Sequence, residues 1–248
     1  MPRTPSCLIN RGYKLSESHI DFYRRWRRLA RPYFVWQFAQ FKPFIGSRVA
    51  DLGCGLGNFT DLMVDKGLYL GLDSDAEVIR EMQAEYKHRA NVEFIESNIT
   101  SAETFSLLAE KKVNTIFCSN ILEHIEDDAR ALHNMVSVLP AGGTLCLLVP
   151  AIQQNFGSLD LLDGHFRRYT KSMIMRRVSD LAVSVEKIYY FNFIGSFAWF
   201  LKGRVLRQKV HYNENYVLMN LLIPFVSRIE RAIYPFVGLS LIAVLRKK

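Results

Sequence analysis

The chain lacks most of what would mark it as a secreted, metal-knuckle or membrane-spanning protein. Its four cysteines, Cys7, Cys54, Cys118 and Cys146, are scattered and form no C-x-x-C pair. Neither a disulfide framework nor a zinc knuckle is indicated, and a reducing compartment fits best. Near the N-terminus, Pro2, Arg3, Pro5 and Arg11 stand without an uninterrupted apolar stretch behind them, which argues against a secretory signal. No apolar run reaches the length of about 18 residues that a membrane span needs. The two longest candidates, Phe191–Leu201 and Tyr216–Val226, are interrupted or flanked by Asn192, Gly195, Asn220, Pro224 and Arg228. No internal repeat or low-complexity tract is apparent.

What is present is an ordinary globular composition, with 49% hydrophobic and 23% charged residues over 248 positions. That length suits one large α/β domain with appendages. The 32 Lys+Arg against 24 Asp+Glu give a formal charge of +8, which favours nucleic acid, an anionic membrane surface or a phosphorylated substrate without choosing among them. The basic residues gather at Arg24-Arg25-Trp26-Arg27-Arg28, Arg167-Arg168, Arg176-Arg177, Lys202 to Lys209 and Arg246-Lys247-Lys248. Solvated helix faces and a solubilising tail account for most of them.

Apolar spacing over residues 18–42 predicts a helix or two, punctuated by Pro32 and Pro43. Short apolar runs then alternate with helical stretches. Strands are expected at Arg48–Leu52, Tyr69–Leu72, Val92–Ile95, Val113–Cys118, Thr144–Val149, Val183–Tyr189 and Leu239–Leu245; helices are expected at Phe59–Lys66, Ala76–His88, Asp127–Leu139 and Lys171–Leu181. Such alternation implies a doubly wound, mostly parallel sheet. The expected organisation is an N-terminal helical cap over 1–43, a Rossmann-like core over 44–190, an apolar helical insertion over 191–236 and a final core strand over 237–248. About fifty residues separate the last two strands, far more than the roughly four to six of a median connection. Such an insertion is suited to lidding a substrate pocket or lying in a membrane interface.

The segment Val49-Ala-Asp-Leu-Gly-Cys-Gly-Leu-Gly-Asn-Phe-Thr60 carries the chemistry. Its glycines allow a tight turn and close approach of a ligand to bare backbone, and the helix expected after it presents free N–H groups. A dinucleotide site wants G-x-G-x-x-G, whereas the spacing here is G-x-G-x-G with Asn58 in the last position. Asp51, just before the loop, would repel a pyrophosphate but suits the α-amino group of a methionine moiety. Asp73, beyond the second strand, is placed to accept from ribose hydroxyls, while Asp75 is the better N-cap for the helix that follows.

The run 49–60, Asp73, Asn98-Ile99 and Ser119-Asn-Ile-Leu-Glu-His-Ile125 resemble, in order, the cofactor motifs of class I S-adenosylmethionine-dependent methyltransferases. The resemblance covers residues 48–150. It implies a seven-stranded sheet whose last strand runs antiparallel, and S-adenosyl-L-methionine as cofactor. Gly53, Gly55 and Gly57 would hold the methionyl part, with Asp51 on its amino group, Asp73 the ribose, and Asn98 with Ile99 the adenine; Cys54, Ser74 and Asn120 are further expected cofactor contacts. Asn98 stands where the family often has Asp, and its side-chain oxygen would pair with the adenine amino group.

For the chemistry, in-line displacement from a sulfonium mainly requires alignment, worth about 7–11 kcal/mol, and a base only where the acceptor must lose a proton. His124 occupies the position that faces the transferable methyl in similar enzymes; the alternative is a helix-start residue bonded to backbone. With Asn120 ahead of the Glu123-His124 pair, no metal site is expected. Residues 156–170 crowd Asp160, Asp163, His165, Arg167, Arg168 and Tyr169 into one loop, resembling a Gly-His-x-Arg-Arg-Tyr element of bacterial methyltransferases associated with glycan, lipid or natural-product pathways. Glu123, His165, Arg168 and Tyr169 are the expected acceptor contacts, with His165 also a catalytic candidate. The alternative is an ion pair from Asp160 or Asp163 to an arginine that merely pins the loop.

The expected activity is O- or N-methylation of a small-molecule, glycan or lipid-like acceptor by a cytoplasmic enzyme, with room for peripheral association with an anionic membrane. A nucleic-acid acceptor is disfavoured, because Ser119-Asn-Ile-Leu122 replaces the [Asn/Asp]-Pro-Pro-[Tyr/Phe] run of exocyclic-amine enzymes and Cys118 lies inside a strand. A non-catalytic cofactor-binding module is the third reading.

Overall fold

The computed structural model describes residues 19–208, 216–233 and 235–248. Cys7, the rest of the cap before residue 19 and residues 209–215 of the basic insertion lie outside the described residues. Seven strands form one sheet in the order β3-β2-β1-β4-β5-β7-β6. They are β1 Arg48–Leu52, β2 Leu68–Asp73, β3 Val92–Glu96, β4 Thr115–Ser119, β5 Thr144–Pro150, β6 Val183–Phe191 and β7 Ser240–Lys247. The first five pair in parallel, and β7 runs antiparallel to both of its neighbours. This is the Rossmann-like methyltransferase topology that the motif order implied. Chain order reverses between β1 and β4, which opens a crevice at the carboxyl ends of those strands, where doubly wound sheets bind ligands.

Strand alternation sends Ala50 and Leu52 to one face and Val49 to the other. The Ala50 face packs against α4 Ala102–Glu110, α5 Asp128–Val138 and α7 Lys171–Arg177, through Phe105, Leu108, Leu132, Met135 and Ile174. The Val49 face packs against α1 His19–Leu29, α2 Arg31–Ala39 and α3 Ala76–Tyr86, with an aromatic cluster of Phe34, Phe38, Phe41, Phe59 and Phe117 at its centre. Burial on both faces explains why β5 is apolar along its whole length rather than alternating.

Two local expectations fail. Residues 59–66 do not form an α-helix. Thr60, Leu62, Met63 and Lys66 each donate backbone N–H to the residue three before, giving turns and a 3-10 segment at Thr60–Leu62. Buried Phe59, Thr60, Met63 and Val64 dictate this tighter path over local preference. The helix N-terminus expected behind the glycine loop is therefore absent. Conversely, α4 arises where no element was expected, and the six-residue α6 Ser158–Asp163 within the segment expected to be a loop. Ser101 caps α4 by accepting from Thr104 N–H at 3.3 Å.

The insertion before β7 contains α8 Phe193–Trp199, a π-helical turn Phe200–Val205 and α9 Tyr216–Ile233. Asn192 starts α8 by accepting from Gly195 N–H at 2.9 Å. The Glu230 carboxylate of α9 accepts from the Asn192 N–H at 3.0 Å and from the Phe193 N–H. Asn220 of α9 donates to the Leu29 carbonyl at 2.8 Å, so the insertion and the N-terminal helices brace one another. No described helix is long and apolar enough to cross a membrane.

Candidate active site

The glycine loop leaves β1 with Gly53, Gly55 and Gly57 all at positive φ (72°, 50° and 73°), conformations that side chains resist. Around a Cβ built on Gly55 there is nothing within 4 Å, so its backbone faces open space, as a ligand cradle requires. Asp73 reaches across from the end of β2: one carboxylate oxygen accepts from Gly55 N–H at 2.9 Å and the other from Asp75 N–H at 3.1 Å. Burial, against the pull of these backbone donors, raises its pKa. Four lone-pair positions on a carboxylate leave capacity for ribose hydroxyls. Asp75 caps α3 as expected, accepting from Glu77 and Val78 N–H at 2.9 and 3.3 Å. The open backbone at Gly55 and the Asp73 carboxylate fit a methionyl nucleoside.

The other residues expected to contact the cofactor divide. Asp51 is buried beneath the loop, accepting from the Tyr69 hydroxyl at 2.8 Å, and Tyr69 in turn meets Thr60 Oγ1 at 2.8 Å. Burial pushes the Asp51 carboxyl up to about 7. This chain ties β1, β2 and the end of the loop together. Cys54 is buried with its sulfur beside Gly71, so only its backbone lies along the loop. The Asn98 oxygen, expected to face the adenine amino group, accepts instead from Thr100 N–H and Oγ1 at 3.0 and 2.8 Å; an Asx turn ahead of α4 takes it. Ile99 packs at the margin of the core. Ser74 follows Asp73 directly, and Asn120 leaves β4 at φ 54°. Ile121 lies over Gly53, within 2.1 Å of where a Cβ would stand. That contact places the residues after β4 directly beside the cofactor loop.

Two residues further on, Glu123 is fully buried, and neither carboxylate oxygen has a hydrogen-bond partner. Burial pushes its pKa up to about 7. His124 stands edge-on to His165 with ring centroids 4.7 Å apart, and its Nδ1 is buried without a partner. Burial and the neighbouring imidazole lower its pKa to about 4. His165 comes from the loop after β5. Its Nδ1 meets Asp160 Oδ1 at 2.9 Å and its Nε2 lies 4.0 Å from Glu123. Burial opposes charge on His165, but Asp160 and Glu123 outweigh it and raise the pKa. Phe166 N–H donates to the Glu123 carbonyl at 2.9 Å, which fixes the two loops in register. The sequence-predicted trio Glu123, His124 and His165 therefore converges.

Arg168 and Tyr169 do not join it; both are interior, at 1% and 0% exposure. Arg168 Nε pairs with Asp160 at 2.7 Å, Nη1 donates to the Ala151 carbonyl at 3.2 Å, and the guanidinium lies over the Trp199 ring at 4.9 Å. The Tyr169 hydroxyl contacts the Leu122 carbonyl at 3.1 Å and Asp128 at 3.0 Å. Asp128 also pairs with Arg167 and Arg177, at 2.8 and 2.7 Å. The acceptor roles expected for Arg168 and Tyr169 give way to the loop-pinning alternative, with Asp160 as the acid. A buried guanidinium is tolerable only when paired, and this one is committed on all sides. Asp128 and Trp199 were not singled out from sequence. Trp199 Nε1 donates to Asp160 Oδ2 at 3.3 Å, and a tryptophan in an apolar helix seeking a partner for its N–H was the available signal.

The basic segment at the N-terminus is likewise partly spent. Arg24 pairs with Glu81 and Arg27 with Glu85 on α3, at 2.8 and 2.7 Å. Cys118 is wholly buried in β4, and burial raises its thiol pKa, so it is no exposed nucleophile.

Residues 45–191 match the methyltransferase domain family. A trans-aconitate 2-methyltransferase from Rhodopseudomonas palustris is 27% identical over 106 residues, 42% of this chain and 38% of that one. The chain thus spans under half the length of that relative. Among solved structures, an S-adenosylmethionine-dependent methyltransferase from Archaeoglobus fulgidus superposes with TM-score 0.61 at 16% identity, covering 93% of this chain and all of that one (100%). Magnesium protoporphyrin IX methyltransferase from Synechocystis, with S-adenosylmethionine bound, gives 0.52 at 12% identity over 96% of this chain and 87% of its own; at these identities the likeness is one of fold. The chain belongs to the methyltransferase domain family.

Proposed function

We propose that the protein methylates an oxygen or nitrogen of a small-molecule, glycan or lipid-like acceptor. The observation that carries this reading is the Asp160–His165 pair, Nδ1 to Oδ1 2.9 Å, set against Glu123 beside the glycine loop. Bound S-adenosylmethionine supplies a methyl on a sulfonium, open to in-line attack. Asp73 and the Gly53–Gly57 backbone hold the cofactor. With Nδ1–H donated to Asp160, His165 presents the Nε2 lone pair and takes the acceptor's proton. On α1, the Tyr23 hydroxyl has its pKa raised by burial and by the nearby charges of Asp163 and Asp73. The test is release of S-adenosylhomocysteine across a panel of phenolic, sugar and lipid-linked acceptors. His165→Ala should abolish turnover while calorimetric S-adenosylhomocysteine binding persists. Tight cofactor binding with no acceptor methylated would support a non-catalytic module instead.

A lipid-like acceptor at a membrane surface is favoured by one feature. Phe197, Leu201, Val205, Leu221, Phe225 and Phe236 are exposed, Phe236 at 82%, among Lys202, Arg204, Arg207 and Arg228. Exposed apolar residues on segments that also carry cations suit the interface of an anionic bilayer, and they support a peripheral location on it. Trp199 and Ser158 bind this segment to the acceptor loop, the latter donating to the Gly203 carbonyl at 3.1 Å. Sedimentation with phosphatidylglycerol vesicles at low salt, reduced by a Leu221→Glu/Phe225→Glu double variant, is the expected result. No sedimentation of the parent protein would refute it.

A further inference from the structure

A fully buried carboxylate with no hydrogen-bond partner on either oxygen is a costly feature, worth several kcal/mol unless something pairs with it. Glu123 is such a group. Its nearest polar neighbours are imidazoles: one heteroatom each from Glu123, His124 and His165 lies within 4.8 Å of the other two. His165 Nδ1 is held by Asp160 at 2.9 Å, which leaves its Nε2 for the carboxylate 4.0 Å away, and His124 Nδ1 is buried and unpartnered. One imidazole thus faces the orphaned carboxylate with a second partner that fixes its orientation, as metal-ligating histidines require, and the other keeps a buried nitrogen unspent.

Asn120 ahead of the Glu123-His124 pair spoke against a metal in the sequence, but His165 from the loop after β5 joins the pair, and we infer that Glu123, His124 and His165 form a binding site for a divalent first-row transition ion, of the two-histidine, one-carboxylate kind. Two imidazoles and one carboxylate suit Zn²⁺ and its neighbours rather than Ca²⁺ or Mg²⁺, which prefer all-oxygen shells. Ligand bonds of about 2.0–2.2 Å put the donors of a tetrahedral or facial set about 3.0–3.6 Å apart, so side-chain adjustments of about one ångström close the set. Three protein ligands leave a position for the acceptor oxygen, whose proton a bound cation makes easier to lose. The inference rests on the same residues as the proposed reaction: with the ion bound, His165 Nε2 is a ligand and the ion, rather than the imidazole, eases loss of the acceptor's proton. Ion binding is measured without turnover.

The test uses the full chain, stripped with chelator, and two probes: Zn²⁺ by calorimetry and Co²⁺ by visible absorption. One ion per chain is expected, with Co²⁺ d–d bands of a site containing nitrogen ligands. His165→Ala and the near-isosteric Glu123→Gln should each abolish that binding, and Asp160→Asn should weaken it about 10–100-fold. Exposed His133, far along α5, serves as control, and His133→Ala should leave binding unchanged. S-adenosylhomocysteine binding in every variant reports that the fold and cofactor site survive. Absence of stoichiometric Zn²⁺ and Co²⁺ binding in cofactor-competent parent protein would overturn the inference, as would binding that His165→Ala and Glu123→Gln leave intact. Failure of the methyltransferase reading would appear separately, as loss of cofactor binding or of turnover with the ion still bound.

Discussion

The two ends of the crevice are built on opposite principles. At the cofactor end, three left-handed glycines and one carboxylate leave backbone open to a ligand, and few side chains take part. At the acceptor end, the loop from Asp160 to Tyr169 is held almost entirely by side chains buried against distant elements, and the groups left unsatisfied, Glu123 and the facing imidazole nitrogens, belong to the site. An arginine next to a glycine-histidine pair can look like a ligand-binding residue in sequence. Here it is the post on which the loop stands, and the open position belongs to the histidine three residues before it.

The sharpest way to break this contrast is to remove the post. Arg168→Met leaves Asp160 buried with one fewer charge partner and should cost about 3–5 kcal/mol in denaturant unfolding, with S-adenosylhomocysteine affinity of the folded fraction unchanged. A rise in acceptor KM at unaltered stability would return Arg168 to the acceptor pocket. At the other end, Asp73→Ala should weaken S-adenosylhomocysteine binding by about 1.5–3 kcal/mol, the worth of hydrogen bonds to a charged group, with little change in unfolding. Equal losses of stability in both variants would erase the distinction between the two ends. Tyr169→Phe removes the hydroxyl bridging the Leu122 carbonyl and Asp128, and should cost about 1–3 kcal/mol of stability without moving acceptor KM.

A further expected effect is a slope. Asp51 has its folded-state pKa raised from 3.8 to about 7 by burial. Its neutral form is the one that folding favours. That contribution is complete below the unfolded-state value and is lost as pH rises through about 7. Parent stability should therefore fall with rising pH across that window, by at most about 1.4 kcal/mol per pH unit from this group. Asp51→Asn should flatten the slope, and an unchanged slope would place the carboxylate in a hydrated setting instead.

The strand-and-helix rhythm of residues 48–150 was legible because buried parallel strands must be short apolar runs, and each needs a helix to return the chain. The glycine spacing and Asp73 were legible for a related reason: their roles depend on backbone and on neighbours fixed by two adjacent strands. The failures lie where contacts from afar decide. Phe59 and Met63 bend their segment away from an α-helix because the aromatic core claims them. The Asn98 oxygen, by contrast, is engaged by a local turn, accepting from Thr100 two residues away. Asp128 and Trp199 carry no local mark of the partners they meet some forty residues on.

By itself, then, the sequence determined the class of fold and the place of the glycine loop and Asp73 at the ends of adjacent strands, because local spacing and strand adjacency suffice for these. Only the tertiary structure decided which members of the crowded acceptor loop support it and which face the site. That choice is made by burial: the interior pairs Arg168 with Asp160 and Tyr169 with Asp128, and it leaves Glu123, His124 and His165 facing one another with bonding capacity unspent.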